Sequence, residues 1–204
     1  MRPSQEQLRQ GLFSGINPVI RFLTMSDVIL LGAMQLVSPI FALFIVDRIP
    51  DANAAVVGAA ASVYLITKSI GQIPFATLID RIRGERDDFW FLFSGTIVIS
   101  LLPLLYLIIQ TPMQLYIVQF FIGVCAAMTY PPYMAIFTRH IDRKREATEW
   151  GIRFTLIDLA GAISASLGGL VAVSAGFTWL IIGFVCINML GALILLPARR
   201  YMRR

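Results

Sequence analysis

Apolar residues along this chain gather into six long runs, each separated from the next by a short polar or charged stretch. They fall at about Val28–Val46, Ala54–Ile79, Phe89–Ile109, Met113–Phe137, Trp150–Ala175 and Phe177–Leu196. Each is close to the roughly 20 residues that cross a bilayer. Backbone N–H and C=O groups cannot go unpaired in lipid, so the runs are expected to be helices rather than open strands. The predicted class is an all-α membrane protein with six transmembrane helices. The links at Gln110–Pro112 and Gly176 are too short for anything but antiparallel hairpins, and a third link on the same side covers Asp47–Asn53. The expected organisation is a leader over 1–24, a six-helix domain over 25–198 and a basic tail over 199–204.

The leader is polar and lacks the compact apolar core of a cleavable signal. Leu8, Leu12, Ile16, Val19 and Leu23 recur at helical spacing, so residues 4–23 read either as an interfacial helix broken at Asn17-Pro18 or as an irregular segment.

Composition narrows the class further. The chain is 57% hydrophobic with a mean hydropathy of +0.76, too apolar for a soluble domain. Its net charge of +5 is spread over short loops, so it does not read as a nucleic-acid surface. Cys125 and Cys186 lie inside apolar runs and read as small core residues. His140 lies in a charged turn, and no glycine loop precedes a Lys-Ser/Thr pair, so neither enzymatic chemistry nor ATP-driven transport is expected. No cofactor or metal is expected.

The distribution of charge orients the bundle. Fourteen basic residues lie at one set of span ends: Arg2, Arg9, Arg21, Arg81, Arg83, Arg86, Arg139, Arg143, Lys144, Arg145, Arg199, Arg200, Arg203 and Arg204. Arg48 stands alone at the other, while Lys68 and Arg153 lie within spans. This asymmetry predicts both termini in the cytoplasm. The turn Arg139–Glu146 reads as a solvated anchor to anionic lipid, with Thr148 and Glu149 capping the fifth span.

The turn between the second and third spans carries a more specific signal. Ala76-Thr77-Leu78-Ile79-Asp80-Arg81, followed by Gly84, Glu85 and Arg86, resembles the Gly-x-x-x-Asp-Arg/Lys-x-Gly-Arg/Lys-Arg/Lys signature of the major facilitator superfamily. Ala76 replaces the leading glycine, and one extra residue separates Arg81 from Gly84. The fifth span adds Gly161, Ala165 and Gly169 at four-residue steps, beside a row of Ser164, Gly168 and Ala172. Small residues permit close helix approach in lipid, and the Gly168-Gly169 pair resembles the family's glycine-rich fifth helix. Gln119 stands where many proton-coupled members carry the arginine of Arg-x-x-x-Gly, a departure from proton antiport.

The resemblance covers the six spans and is to short, half-length bacterial members of that family. It implies half of a fold built from inverted three-helix units. It also implies a secondary transporter of small molecules in the bacterial inner membrane, working as a dimer by alternating access, with Asp80, Arg81, Gly84 and Arg86 as a cytoplasmic latch. In that fold spans 1 and 4 line the cavity, 2 and 5 face the other half, and 3 and 6 face lipid. The rival readings are a non-transporting membrane scaffold and one half of a heterodimer.

Within the spans, Lys68 lies roughly 16 Å and Asp158 roughly 12 Å from the basic end at 1.5 Å per residue. Intramembrane charges need protein or water around them. One reading pairs Lys68 of one subunit with Asp158 of the next; another, from Tyr64, Lys68 and Gln72 sharing a face, points Lys68 into the cavity. Asp27 is expected at the cytoplasmic rim. Gln35 and Ser38 of the first span, with Gln119 and Tyr130 of the fourth, are the candidate cavity residues, whereas Tyr133 is assigned to an interfacial aromatic belt. An uncompensated Lys68 favours anionic or zwitterionic solutes; a neutralised one favours polar or amphipathic neutral solutes.

Overall fold

A computed structural model describes residues 15–81 and 84–202. Among the described residues six helices are long and apolar enough to cross a membrane: α1 (Pro18–Arg48), α2 (Ala54–Arg81), α3 (Glu85–Leu107), α4 (Pro112–His140), α5 (Glu146–Ser174) and α6 (Phe177–Tyr201). No strand occurs among them.

Local chemistry places the helix ends. Asn17 caps α1 through its side-chain oxygen, which accepts from Val19 N–H at 2.9 Å, and Pro18 follows as the first helical residue. The first helix therefore begins well before Val28, the expected start of the first span, and the last part of the supposed leader is helix. Residues 1–14 of the leader lie outside the described residues. α1 is interrupted by a 3-10 turn at Ser38–Ile40, where Pro39 lacks an N–H to donate. Asn53 caps α2 by accepting from Ala55 and Val56 N–H. Thr111 and Gln114 form a reciprocal capping box on α4. Gly176 turns α5 into α6 at φ +85°, a left-handed conformation that suits glycine. α5 starts at Glu146, so Thr148 and Glu149 lie inside it rather than capping it.

Packing follows an exchange rule. α1 packs on α5 and α6; α4 packs on α2 and α3; α3 and α6 touch. Swapping the first three helices for the last three reproduces the same set of contacts, which is the signature of an inverted three-plus-three repeat. Two apolar cores lie at opposite ends of the bundle. The core at the basic end gathers Val19, Leu23, Phe89, Ile136, Phe137 and Leu195. The other gathers Val37, Phe44, Ile45, Tyr106, Leu115 and Ile181. Arg48 closes that far end by donating to the Leu107 carbonyl.

The helices differ in how much they bury. Only 6% of the apolar window of α2 and 11% of that of α5 are buried, whereas the other four bury a third or more. α3 and α6 therefore pack into the bundle on one face and expose Val98, Leu101, Trp179 and Leu190 on another. The small residues of α5 serve its contact with α1. A β-carbon at Gly168 would fall on the Leu36 carbonyl, and one at Gly161 would sit 3.0 Å from Gln35 Cγ. Gly169 faces open space, and Ala165 is half-buried.

Gly168→Ala is expected to lower stability by about 1–3 kcal/mol through this clash, whereas Gly169→Ala leaves it unchanged. Thermal unfolding of the two variants in the same detergent checks the difference.

Candidate functional site: a cavity between the two cores

Between the two cores lies a cavity of about 520 Å³. α1, α3, α4 and α6 supply most of its wall, α2 contributes Tyr64 and Lys68, and α5 contributes Arg153. Most of the lining is apolar, from Leu31 and Phe41 to Ile122 and Phe184. Met34, Ser38 and Tyr130 line the cavity and are exposed as well, so this chain leaves the cavity open on that side.

Of the candidate cavity residues, Ser38, Gln119 and Tyr130 line the space. Gln35 does not: its side chain lies against Gly161 of α5, because helical rotation carries it away from the face that holds Ser38. Gly123, on the same predicted stripe as Gln119, is a packing position against α2, where a β-carbon would sit 2.8 Å from the Tyr64 carbonyl.

The most heavily bonded part of the wall is an ion pair. Arg153 Nε donates to Asp27 Oδ2 at 2.8 Å and to the Tyr133 hydroxyl at 2.9 Å, and Nη2 makes a second bond to the same carboxylate oxygen. Asp27 and Arg153 are each 8% exposed, so the bundle encloses the pair. The Tyr133, Trp150 and Phe154 rings lie 5.1–5.4 Å from the guanidinium carbon. Tyr133 is thus a bundle-interior ligand of Arg153 and not part of an aromatic belt. One knot ties α1, α4 and α5. Beside it, Ser26 Oγ donates to the Gly191 carbonyl at 2.8 Å and ties α1 to α6.

Lys68 behaves differently. Its ammonium lies 5.9 Å from the Tyr64 ring centre and 5.4 Å from that of Tyr130. Among the described residues no carboxylate lies within ion-pair distance of it. Asp158 is exposed on α5 and is not part of the cavity wall. Within the chain the two charges are not paired.

At the basic end, the predicted loop is mostly helix. Asp80 and Arg81 close α2 and Glu85–Asp88 open α3; Gly84 precedes α3, and residues 82–83 lie outside the described residues. Asp88 is fully buried and accepts from Arg139 of α4. Asp80 and Arg81 are exposed, and Arg86 is half-buried. Asp80 opens on a groove between α2 and α4 that Arg139 also lines. Arg199 crosses over the Trp90 ring at 4.9 Å, so the beginning of the expected basic tail packs on α3.

The description of the Major Facilitator Superfamily matches residues 23–203. The chain belongs to the major facilitator superfamily. This membership, with the six apolar helices, makes it a major-facilitator-type transporter and a multi-pass membrane protein. No curated protein matches the chain. In this superfamily member, sequence reasoning missed the Asp27–Arg153–Tyr133 knot and the Asp88–Arg139 pair. With α1 started at Pro18 and α5 at Glu146, Asp27 and Arg153 stand roughly 13 and 10 Å from the same end at 1.5 Å per residue, close enough in depth to pair.

Arg153→Ala leaves Asp27 buried without its cation and is expected to cost about 3–5 kcal/mol. Asp27→Leu combined with Arg153→Met removes both charges and recovers most of that loss. Unfolding temperatures of the wild type, the single variant and the double variant, measured in one detergent, check the order.

Proposed function

We propose that this chain is one six-helix unit of a secondary-active transporter that moves small molecules by alternating access. The observation that carries the reading is the 520 Å³ cavity, polar at a few positions and left open by this chain at Met34, Ser38 and Tyr130. A solute pathway needs a wall on that side, and a second six-helix unit of the same shape supplies one. Inverted repeats suit such a cycle, because the two triplets can exchange conformations and so turn the access from one side to the other.

The exposed faces of α2 and α5 support a homodimer. Ile66, Ile70 and Ile73 of α2 and Leu159, Ile163 and Leu170 of α5 are all more than half exposed. Apolar faces of this kind are compatible with lipid, but the Asp158 carboxylate among them is not. An acid within a span is costly in hydrocarbon and calls for protein or water opposite it. A second copy packed against these faces answers that need. It also brings Asp80, exposed and without an ion pair among the described residues, within reach of the partner's α5 start, where the helix dipole is positive. In this reading Asp80, Arg81, Gly84 and Arg86 form a latch between units that is made in one state and released in the other. The basic ends of the helices lie in the cytoplasm of a cell whose plasma membrane holds the protein.

Native mass spectrometry from mild detergent is expected to show two copies, and a strict monomer counts against the two-unit carrier. In reconstituted vesicles, cross-linking the latch positions of the two copies is expected to stop solute flux. Flux that continues after complete cross-linking removes the latch.

A further inference from the structure

We propose that the cavity selects amphipathic organic anions, with Lys68 as the anchor for a single carboxylate or sulfonate head and the apolar wall holding the body. The inference rests on the reading of this cavity as the solute pathway and names the class of solute.

The charge of the wall is the starting point. Its charged residues are Asp27, Lys68 and Arg153. Asp27 and Arg153 neutralise each other through two bonds to one carboxylate oxygen. Lys68 remains as a surplus positive charge among the described residues. Its neighbours are two tyrosine rings, whose negative faces hold an ammonium only weakly compared with a carboxylate. An ammonium half-buried in an apolar wall, with aromatic faces in place of an acid, is suited to a partner that arrives from outside.

The polar groups around it point the same way. Thr96 and Thr129 donate to carbonyls of their own helices, Ser26 donates to Gly191, and the Asn188 amide donates to Phe184. Gln119 and the Tyr64 and Tyr130 hydroxyls make no hydrogen bond within the described residues. The uncommitted groups in the wall are therefore one cation and a few hydrogen-bond donors, with no uncommitted carboxylate among them. Such a wall attracts an anion and disfavours a cation. Its long apolar stretches favour an aromatic or aliphatic body over a small inorganic ion.

The test compares isosteric probes that differ in charge. 2-Naphthoate and the neutral 2-naphthamide are titrated against the full chain in lipid nanodiscs, with binding read by equilibrium dialysis. Wild type is expected to prefer naphthoate by about tenfold or more, the size of one charge-assisted hydrogen bond. Lys68→Gln is expected to bind both compounds equally, Lys68→Arg to keep the preference, and Asp158→Ala to leave it unchanged. Unfolding temperature in the same discs shows whether each variant is folded. Equal binding of the two probes by wild type, or a preference that survives Lys68→Gln, overturns the assignment. So does an Asp158→Ala variant whose preference changes as much as that of Lys68→Gln, because Lys68 would then serve a contact between subunits. Competition by phosphatidylglycerol added to the discs identifies a lipid headgroup as the anion, and its absence identifies a soluble one; both keep an anion at Lys68. Because binding is read without flux, a chain that shows the charge preference but carries no solute in vesicles removes the transport reading and leaves the anchor standing.

Discussion

The interior of this bundle is organised by a charge that cannot be left alone. Asp27 and Arg153 sit buried among apolar helices, and each would be costly there without the other. Their bond, completed by the Tyr133 hydroxyl, forces α1, α4 and α5 to meet at one depth. Trp150 and Phe154 then pack beside the guanidinium. The apolar core below the knot and the contact of α1 with α5 above it both depend on this registration.

Close approach between α1 and α5 depends on the same geometry from the other direction. Gly32 faces Ala160, and Gly168 faces the backbone at Leu36, so the two helices touch with little side-chain bulk between them. α4 and α2 repeat the arrangement, with Gly123 against Tyr64 and Gly71 against Ala127. Two tight helix pairs with larger residues between them leave room for a cavity that is neither filled nor closed by this chain. Function and packing are thus linked by where bulk is withheld.

Much of the fold was legible from the runs of apolar residues, because lipid imposes a minimum span length and forbids unpaired backbone. Helix ends were less legible. Asn17 and Pro18 carry a clear capping signal, yet the polar appearance of the leader obscures it, and with it the enclosure of Asp27 by the bundle. Rotation about each helix axis was the other blind spot. Gln35 and Ser38 share a helix and a polar character, but only contacts with α5 distinguish the face that meets Gly161 from the face that meets the cavity. Tyr133 was misassigned for the same reason: nothing in a run of aromatic residues near a helix end says whether a ring looks outward to the headgroups or inward to a guanidinium. Lys68 is legible as either an interface or a cavity residue; within this chain it lines the cavity beside the Tyr64 and Tyr130 rings.

The two ends of the bundle are fastened by different materials. At the basic end the fasteners include the Arg139–Asp88 pair, whose arginine is 39% exposed, and the approach of His140 to Glu85 at 3.6 Å. At the opposite end Phe41, Phe44, Tyr106 and Phe177 meet tilted or edge-on. Water reaches the Arg139–Asp88 pair only where the Arg139 side chain emerges, because the Asp88 carboxylate it holds is buried. One end of the bundle is therefore held partly by charge and the other by aromatic contact, a polarity that near-symmetric helix pairing would not by itself provide.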